Sequence, residues 1–184
     1  MKRLALLYLI VGTLFIATLG VLWWRVTQVT QAPATSLLTV TVPVYRHAPA
    51  FDLPLLDGST LTLTQLRGRK AILNFWASWC GPCRAEMPHL ESLYQRYKER
   101  LLVVGINIAE ESETVRRFLE RVRVTYPVLL DAQGRVARAY GVIAQPATYW
   151  IDERGQIIYR KFGAYSPSEL EDIARAFLAL PPAP

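Results

Sequence analysis

A short apolar run, Ala71-Ile72-Leu73-Asn74-Phe75-Trp76-Ala77, leads almost directly into the chain's two cysteines, Cys80 and Cys83, and then into a stretch of helical periodicity. That order constrains the fold more than any other feature. The run is short and mostly apolar, which suits a strand buried on both faces at the centre of an α/β sheet. From about Pro82 to Glu99, the residues Met87, Leu90, Tyr94 and Tyr97 recur at spacings of three and four, the period of one helix face. The cysteines therefore stand where a helix begins. A helix N-terminus presents unpaired N–H groups and a partial positive charge, and both favour a thiolate over a thiol. Cys80 falls at that end and Cys83 one turn inside, so Cys80 is the expected nucleophile and Cys83 the resolving thiol. Gly81 and Pro82 are expected to keep the turn tight, and proline is tolerated at a first helical position, where the N–H has no partner anyway. Pro88, further along, removes a backbone donor and should kink this helix.

Other uses of the pair fit less well. A structural zinc site takes four ligands, and the only further candidates are His47 and His89, at no standard spacing. Both histidines read as surface residues, and no metal site is expected. Covalent haem attachment needs histidine directly after the second cysteine, where Arg84 stands. A purely structural disulfide between residues three apart would constrain the chain little. Two rivals from other classes remain: a module holding Cu(I) between two soft thiolates, and a redox-inert tethered scaffold that only binds partners.

The remainder of the chain reads as alternating strands and helices. Leu61-Thr62-Leu63-Thr64 alternates like a strand after the Asp57-Gly58 turn, and Leu101–Ile108 is a second buried strand. Ser112 can cap a helix carrying Val115, Phe118, Leu119 and Val122 on one face. Val128-Leu129-Leu130 is a short strand ended by an Asp131–Gly134 turn. Thr148–Ile151 and Ile157–Tyr159 flank Asp152-Glu153-Arg154-Gly155 as a hairpin. A last helix opens at Ser166, with Pro167 at its first position, Glu169 completing a capping box, and Leu170, Ile173, Phe177 and Leu180 as its buried face. The expected fold is a central mixed β-sheet with helices on both faces.

The net charge of +6 does not point to nucleic acid. Four basic residues and no acidic one precede Asp52, which leaves 17 basic against 15 acidic residues in the remainder. Lys2 and Arg3 precede an uncharged run, Leu4–Trp24, of 21 residues. As a helix it would span roughly 30 Å, the thickness of a bilayer's hydrocarbon core. Trp23 and Trp24 stand at its far end, where aromatic belts lie. A cleaved signal peptide is the alternative, with Ala32-Pro33-Ala34 beyond the run, but the run exceeds a usual signal core of about 7–15 residues. Residues 1–25 are therefore expected to form an uncleaved transmembrane anchor, 26–46 an extended tether, and 47–184 a folded domain on the far side of the membrane.

The segment Trp76-Ala77-Ser78-Trp79-Cys80-Gly81-Pro82-Cys83-Arg84-Ala85-Glu86-Met87-Pro88 resembles the active-site signature of the membrane-anchored thioredoxin-like reductases, the TlpA/ResA/CcmG group. The likeness extends through Ala48-Pro49-Ala50-Phe51 upstream and Tyr126-Pro127-Val128, Tyr140-Gly141-Val142 and Pro146-Ala147-Thr148 downstream, over roughly residues 47–180. Peroxiredoxins open similarly but place Pro and Thr seven and three residues before their reactive cysteine, where this chain has Leu73 and Ala77. The resemblance implies a thioredoxin-like fold and a thiol–disulfide oxidoreductase whose only redox group is the Cys80–Cys83 disulfide. It implies a cis bond before Pro146, substrate contacts from Trp79, Gly81, Pro82, Gln145 and Pro146, and a proton-handling role for Glu86. Asn74 takes the place where cytoplasmic thioredoxins carry a buried Asp, which would leave that burden to Glu86 or water. The family departs at Ala144 and Ala147, where Gly and Thr are common. Its usual setting is outside the bacterial cytoplasmic membrane. There it acts as a reductase on protein disulfides such as apocytochrome c or copper-site proteins, with electrons from a membrane donor of CcdA or DsbD type.

Overall fold

The computed structural model describes residues 17–21, 23–24 and 46–181. Residues 17–21 and 23–24 are helical (α1), with Leu19, Val21, Trp23 and Trp24 exposed. Most of the expected anchor Leu4–Trp24 and of the tether 26–46 lies outside the described residues. Among the described residues no helix is long and apolar enough to cross a membrane.

From Arg46 onward the chain builds a six-stranded sheet in the order β1-β8-β7-β4-β5-β6. These strands are β1 Arg46–His47, β4 Lys70–Trp76, β5 Leu101–Ile108, β6 Val128–Asp131, β7 Ala147–Ile151 and β8 Gln156–Phe162. β4, β5 and β6 run parallel, while β7 is antiparallel to both β4 and β8, and β1 is antiparallel to β8. The sheet is therefore mixed, as expected. A separate pair, β2 Asp52–Pro54 and β3 Thr60–Thr62, lies antiparallel.

Period-two side-chain alternation divides the core in two. Ile72, Trp76, Val103, Val128 and Trp150 pack with α3 Gly81–Tyr97, α4 Ser112–Val122 and α6 Pro167–Ala179 through Met87, Leu90, Phe118, Leu170 and Phe177. Leu73, Phe75, Ile106, Leu129 and Tyr149 pack with β2, α2 Leu63–Leu66 and α5 Arg135–Ala139 through Leu53, Leu63, Leu66, Val136 and Ala137. With both faces covered, all seven residues of β4 are buried. Its one cation, Lys70, donates from Nζ to the carbonyls of Phe177 and Leu180, tying the end of α6 to the start of the central strand.

Several local expectations change. The alternation at Leu61–Thr64 stops at Thr62, where α2 begins. Thr62 Oγ1 accepts from the Gln65 N–H and the Gln65 Oε1 accepts from the Thr62 N–H, a reciprocal cap that turns the chain out of the strand. Ser112 is the first residue of α4 rather than its cap; Glu111 holds that position without a side-chain bond. The Asp131–Gly134 turn leads into a short helix, α5, that the pattern did not show; Asp131 Oδ2 fixes it by accepting from the Ala137 N–H. Ser166 does cap α6, accepting from the Glu169 N–H, but the Glu169 carboxylate is taken by Lys161. Leu180 lies past the end of α6 and is exposed, and Ala174 takes part of the buried face instead. Pro88 stands inside α3, which continues through it to Tyr97.

Two consequences of topology matter for the site. The C-terminal ends of β4, β5 and β6 and the N-terminal end of β7 lie at one end of the sheet, as the Phe75–Ala147, Trp76–Asn107 and Ile108–Asp131 pairings show. The two residues of β1 pair with Gln156 and Ile157, at the other end.

Candidate active site

Cys80 is the N-cap of α3, as the sequence implies, while Pro82 is the second helical residue rather than the first, which Gly81 takes. The Cys83 N–H donates to Cys80 Sγ at 3.2 Å, so the nucleophile's sulfur already accepts from one of the helix's free donors. The two cysteines are joined as a disulfide, S–S 2.04 Å, with Cys80 5% and Cys83 1% exposed. That asymmetry suits the expected roles, since an incoming sulfur must reach the outer cysteine first. Gly81 is not needed for a tight turn: a Cβ there would meet nothing within 4 Å, and its φ is not in the left-handed region. Its missing side chain leaves open space beside Cys80 instead.

Glu86 lies one turn beyond Cys83, past the first turn of α3, and is 1% exposed rather than solvated. Its Oε2 accepts from Asn74 Nδ2 at 3.1 Å and its Oε1 from the Tyr165 N–H at 2.7 Å. The same Asn74 amide donates to Thr148 Oγ1 at 3.0 Å. Burial pushes the Glu86 carboxyl above the usual glutamate range, against the lowering effects of Tyr165, Asn74 and Lys161. Asn74 therefore does not substitute for a buried acid. It holds one.

The bond before Pro146 is cis, and the Pro146 carbonyl accepts from the Gly163 N–H at 2.7 Å. Pro146 is buried and Gln145 half-buried, with Gln145 Oε1 unpaired. Because β7 is antiparallel to β4, this bond comes to the end of the sheet that carries Cys80. A cleft of about 540 Å³ opens there. Trp79, Cys80, Gly81 and Pro82 form part of its lining, with Ile108, Ala109, Arg138, Val142, Ile143 and Gln145 among the remaining residues. The expected contact residues Trp79, Gly81, Pro82 and Gln145 thus share one cleft with the outer sulfur, whereas Pro146, also expected to contact substrate, is buried and does not line it. Trp79 and Ile143 are the large exposed apolar side chains of this surface, at 72% and 85%. Trp76 is wholly buried against Phe118 and is packing only. His47 is exposed and His89 half-buried, and among the described residues no cluster of three metal-ligating side chains occurs.

A model of the AhpC/TSA family matches residues 44–160. The chain belongs to this thioredoxin-like family. The thioredoxin-like protein YneN of Bacillus subtilis is 37% identical over 163 residues, 87% of this chain and 92% of that protein. The thiol-disulfide oxidoreductase ResA of Geobacillus thermodenitrificans is 40% identical over 117 residues, 63% of this chain and 67% of that protein. Among solved structures, one from Chlorobium tepidum assigned as a thiol:disulfide interchange protein DsbE superposes with a TM-score of 0.70 at 31% identity, over 75% of this chain and 99% of that one. Ala77, wholly buried and apolar, lacks the hydroxyl of the threonine that a peroxidase site carries there, and Leu73 stands in place of its proline.

Sequence reasoning missed three groups. The Tyr165 N–H, 79 residues from Glu86, carries no side-chain signature. Ile143, exposed at 85% in the cleft, follows the Tyr140-Gly141-Val142 run with no pattern of its own that marks it. Glu110 reaches back to the loop before Cys80 from 32 residues away, and nothing local to it shows that.

Proposed function

We propose that this protein reduces disulfide bonds in other proteins on the outer side of the cytoplasmic membrane, held there by residues 1–25. The carrying observation is the Cys80–Cys83 pair at the start of α3, its outer sulfur in an open cleft and its inner sulfur one turn from a buried carboxyl. The coarse reaction, thiol–disulfide exchange, is also what the names of the ResA and DsbE-type relatives state.

In the reduced protein the Cys80 thiolate attacks one sulfur of a substrate disulfide. A mixed disulfide forms and the first substrate sulfur leaves as a thiolate. Cys83 gives up its proton and attacks Cys80 Sγ, which releases the second substrate thiolate and closes the Cys80–Cys83 bond. Two electrons pass to the substrate. Glu86, one turn along α3 and with a raised affinity for a proton, is the proposed acceptor of the Cys83 proton. A membrane dithiol donor of CcdA or DsbD type then restores the thiols. Apocytochrome c and copper-site proteins are the proposed substrates, and the Gly-Pro spacer is the feature that favours the reducing direction.

Cys83→Ser expressed in cells tests this. Partners should accumulate on Cys80 as mixed disulfides released by dithiothreitol. Trapping by Cys80→Ser alone would reverse the two roles. A Cys83→Ser chain that traps no partner, with a wild-type chain that does not accelerate insulin reduction, would overturn the oxidoreductase reading.

A further inference from the structure

We propose that Glu110 is a positioning residue for Cys80, acting through Ser78; this rests on the exchange reaction above and deepens it. Between the end of β4 at Trp76 and the cap of α3 at Cys80 lie only Ala77, Ser78 and Trp79. Glu110 clamps the middle one. Its Oε2 accepts from the Ser78 N–H at 2.7 Å and its Oε1 from the Ser78 hydroxyl at 2.5 Å. Oε2 also accepts from Asn107 Nδ2 at 2.7 Å, which anchors the carboxylate to β5. Asn107 is itself wholly buried and pairs across the sheet with Trp76, so the clamp is referred to the rigid centre of the fold.

The backbone is bent to make this possible. Ala109, between the end of β5 and Glu110, has φ +55°, the left-handed region that a residue with a Cβ seldom occupies. Its N–H donates to the Asp131 carbonyl, which holds the bend in place. Strain retained beside a reactive centre is a pointer to function rather than an accident of packing. Here it returns the chain end of β5 beneath the loop that delivers Cys80.

The clamp has most to do when the disulfide is open. In the oxidised protein the S–S bond fixes Cys80 to α3. After reduction that tie is gone, and the bonds from Ser78 to Glu110 remain as the loop's attachment to β5. Loss of the clamp therefore destabilises the reduced protein more than the oxidised one. A less stable dithiol is a more strongly reducing one, so the potential falls.

Geometry and charge can be separated. The substitution Glu110→Gln keeps an oxygen for the Ser78 and Asn107 N–H groups, and the new amide donates to the Ser78 hydroxyl, which also accepts. Alanine keeps none of these. The experiment is a thiol–disulfide titration of the full-length chain in detergent against glutathione, with thermal unfolding of both redox forms and the rate of Cys80 alkylation at neutral pH. Glu110→Ala should shift the exchange equilibrium about tenfold toward the disulfide, ~30 mV for two electrons. It should also lower the melting temperature of the reduced form more than that of the oxidised form, and slow alkylation several-fold. Glu110→Gln should stay close to wild type in all three. Equal loss of stability in both forms with an unchanged equilibrium would make Glu110 a merely structural residue and overturn the inference. A Glu110→Gln that behaves like Glu110→Ala would overturn it too, because charge and not position would then be the cause. A wild-type chain that does not exchange with glutathione would bring down the exchange reading as well, a result distinct from either.

Discussion

Glu86 joins a carboxylate to 1% exposure, and its surroundings pull it both ways. Burial raises its proton affinity first, and two hydrogen bonds and Lys161 draw it back. A raised value in the folded state means that the protonated form is the better buried. Its contribution to stability is complete below the ordinary glutamate value and is lost as the pH rises through the raised one. Urea unfolding of wild type across this range should therefore show stability falling with pH, and Glu86→Gln should flatten that slope while the fold persists. The same substitution should alter the pH profile of Cys83 reactivity; an unchanged thiol titration would remove Glu86 from the proton path. That Cys80, Cys83 and Glu86 share one helix was legible because helical periodicity relates positions three apart, while the role given to Glu86 came from the family resemblance. Asn74, Tyr165 and Glu110 were not legible as one site, since their bonds to the active-site segment come from strand pairing and loop return. Such contacts depend on the finished topology, not on a local pattern.

Elements with strong internal rules were read well from the sequence. β5 was bounded correctly because eight mostly apolar residues lie between helix signals, and the cap of α6 at Ser166 was found from chemistry alone. The short α2 and α5 escaped, as helices of four and five residues carry too little periodicity to register. The expected cap at Ser112 missed by one position, because any polar residue there could have served. Two substitutions test what holds these elements. Ser166→Ala should cost about 1 kcal/mol by leaving the Glu169 N–H without its acceptor. Gly105→Ala should be worse. Its Cβ would meet Trp76 Nε1 at 3.0 Å and Tyr126 Cε2 at 3.1 Å between packed strands, an overpacking of about 1–3 kcal/mol. Chemical denaturation with both probes, far-UV dichroism and tryptophan emission, measures each.

At the scale of the molecule, the sheet gathers its chemistry at one end and takes in the chain at the other. The cleft at the active end presents Ile143 to solvent, and Ile143→Asp should raise the KM for a protein disulfide several-fold while exchange with dithiothreitol is unchanged. Equal losses for both substrates would show that the loop, and not an apolar contact, had been disturbed. The opposite end carries β1, where the described part of the domain begins, paired with Gln156 and Ile157 away from Cys80. On the proposed anchor, residues 26–45 would act as the domain's leash. Residues 26–45 number 20 and reach at most ~70 Å fully extended, against a radius of gyration of roughly 14 Å for a domain of this size. With such an anchor, soluble substrates would meet the sulfurs directly, whereas a donor embedded in the membrane would need a leash long enough to let the Cys80 end turn toward it. Halving the leash should therefore starve the protein of electrons before it slows its reaction with substrate, and the oxidised form should accumulate in cells.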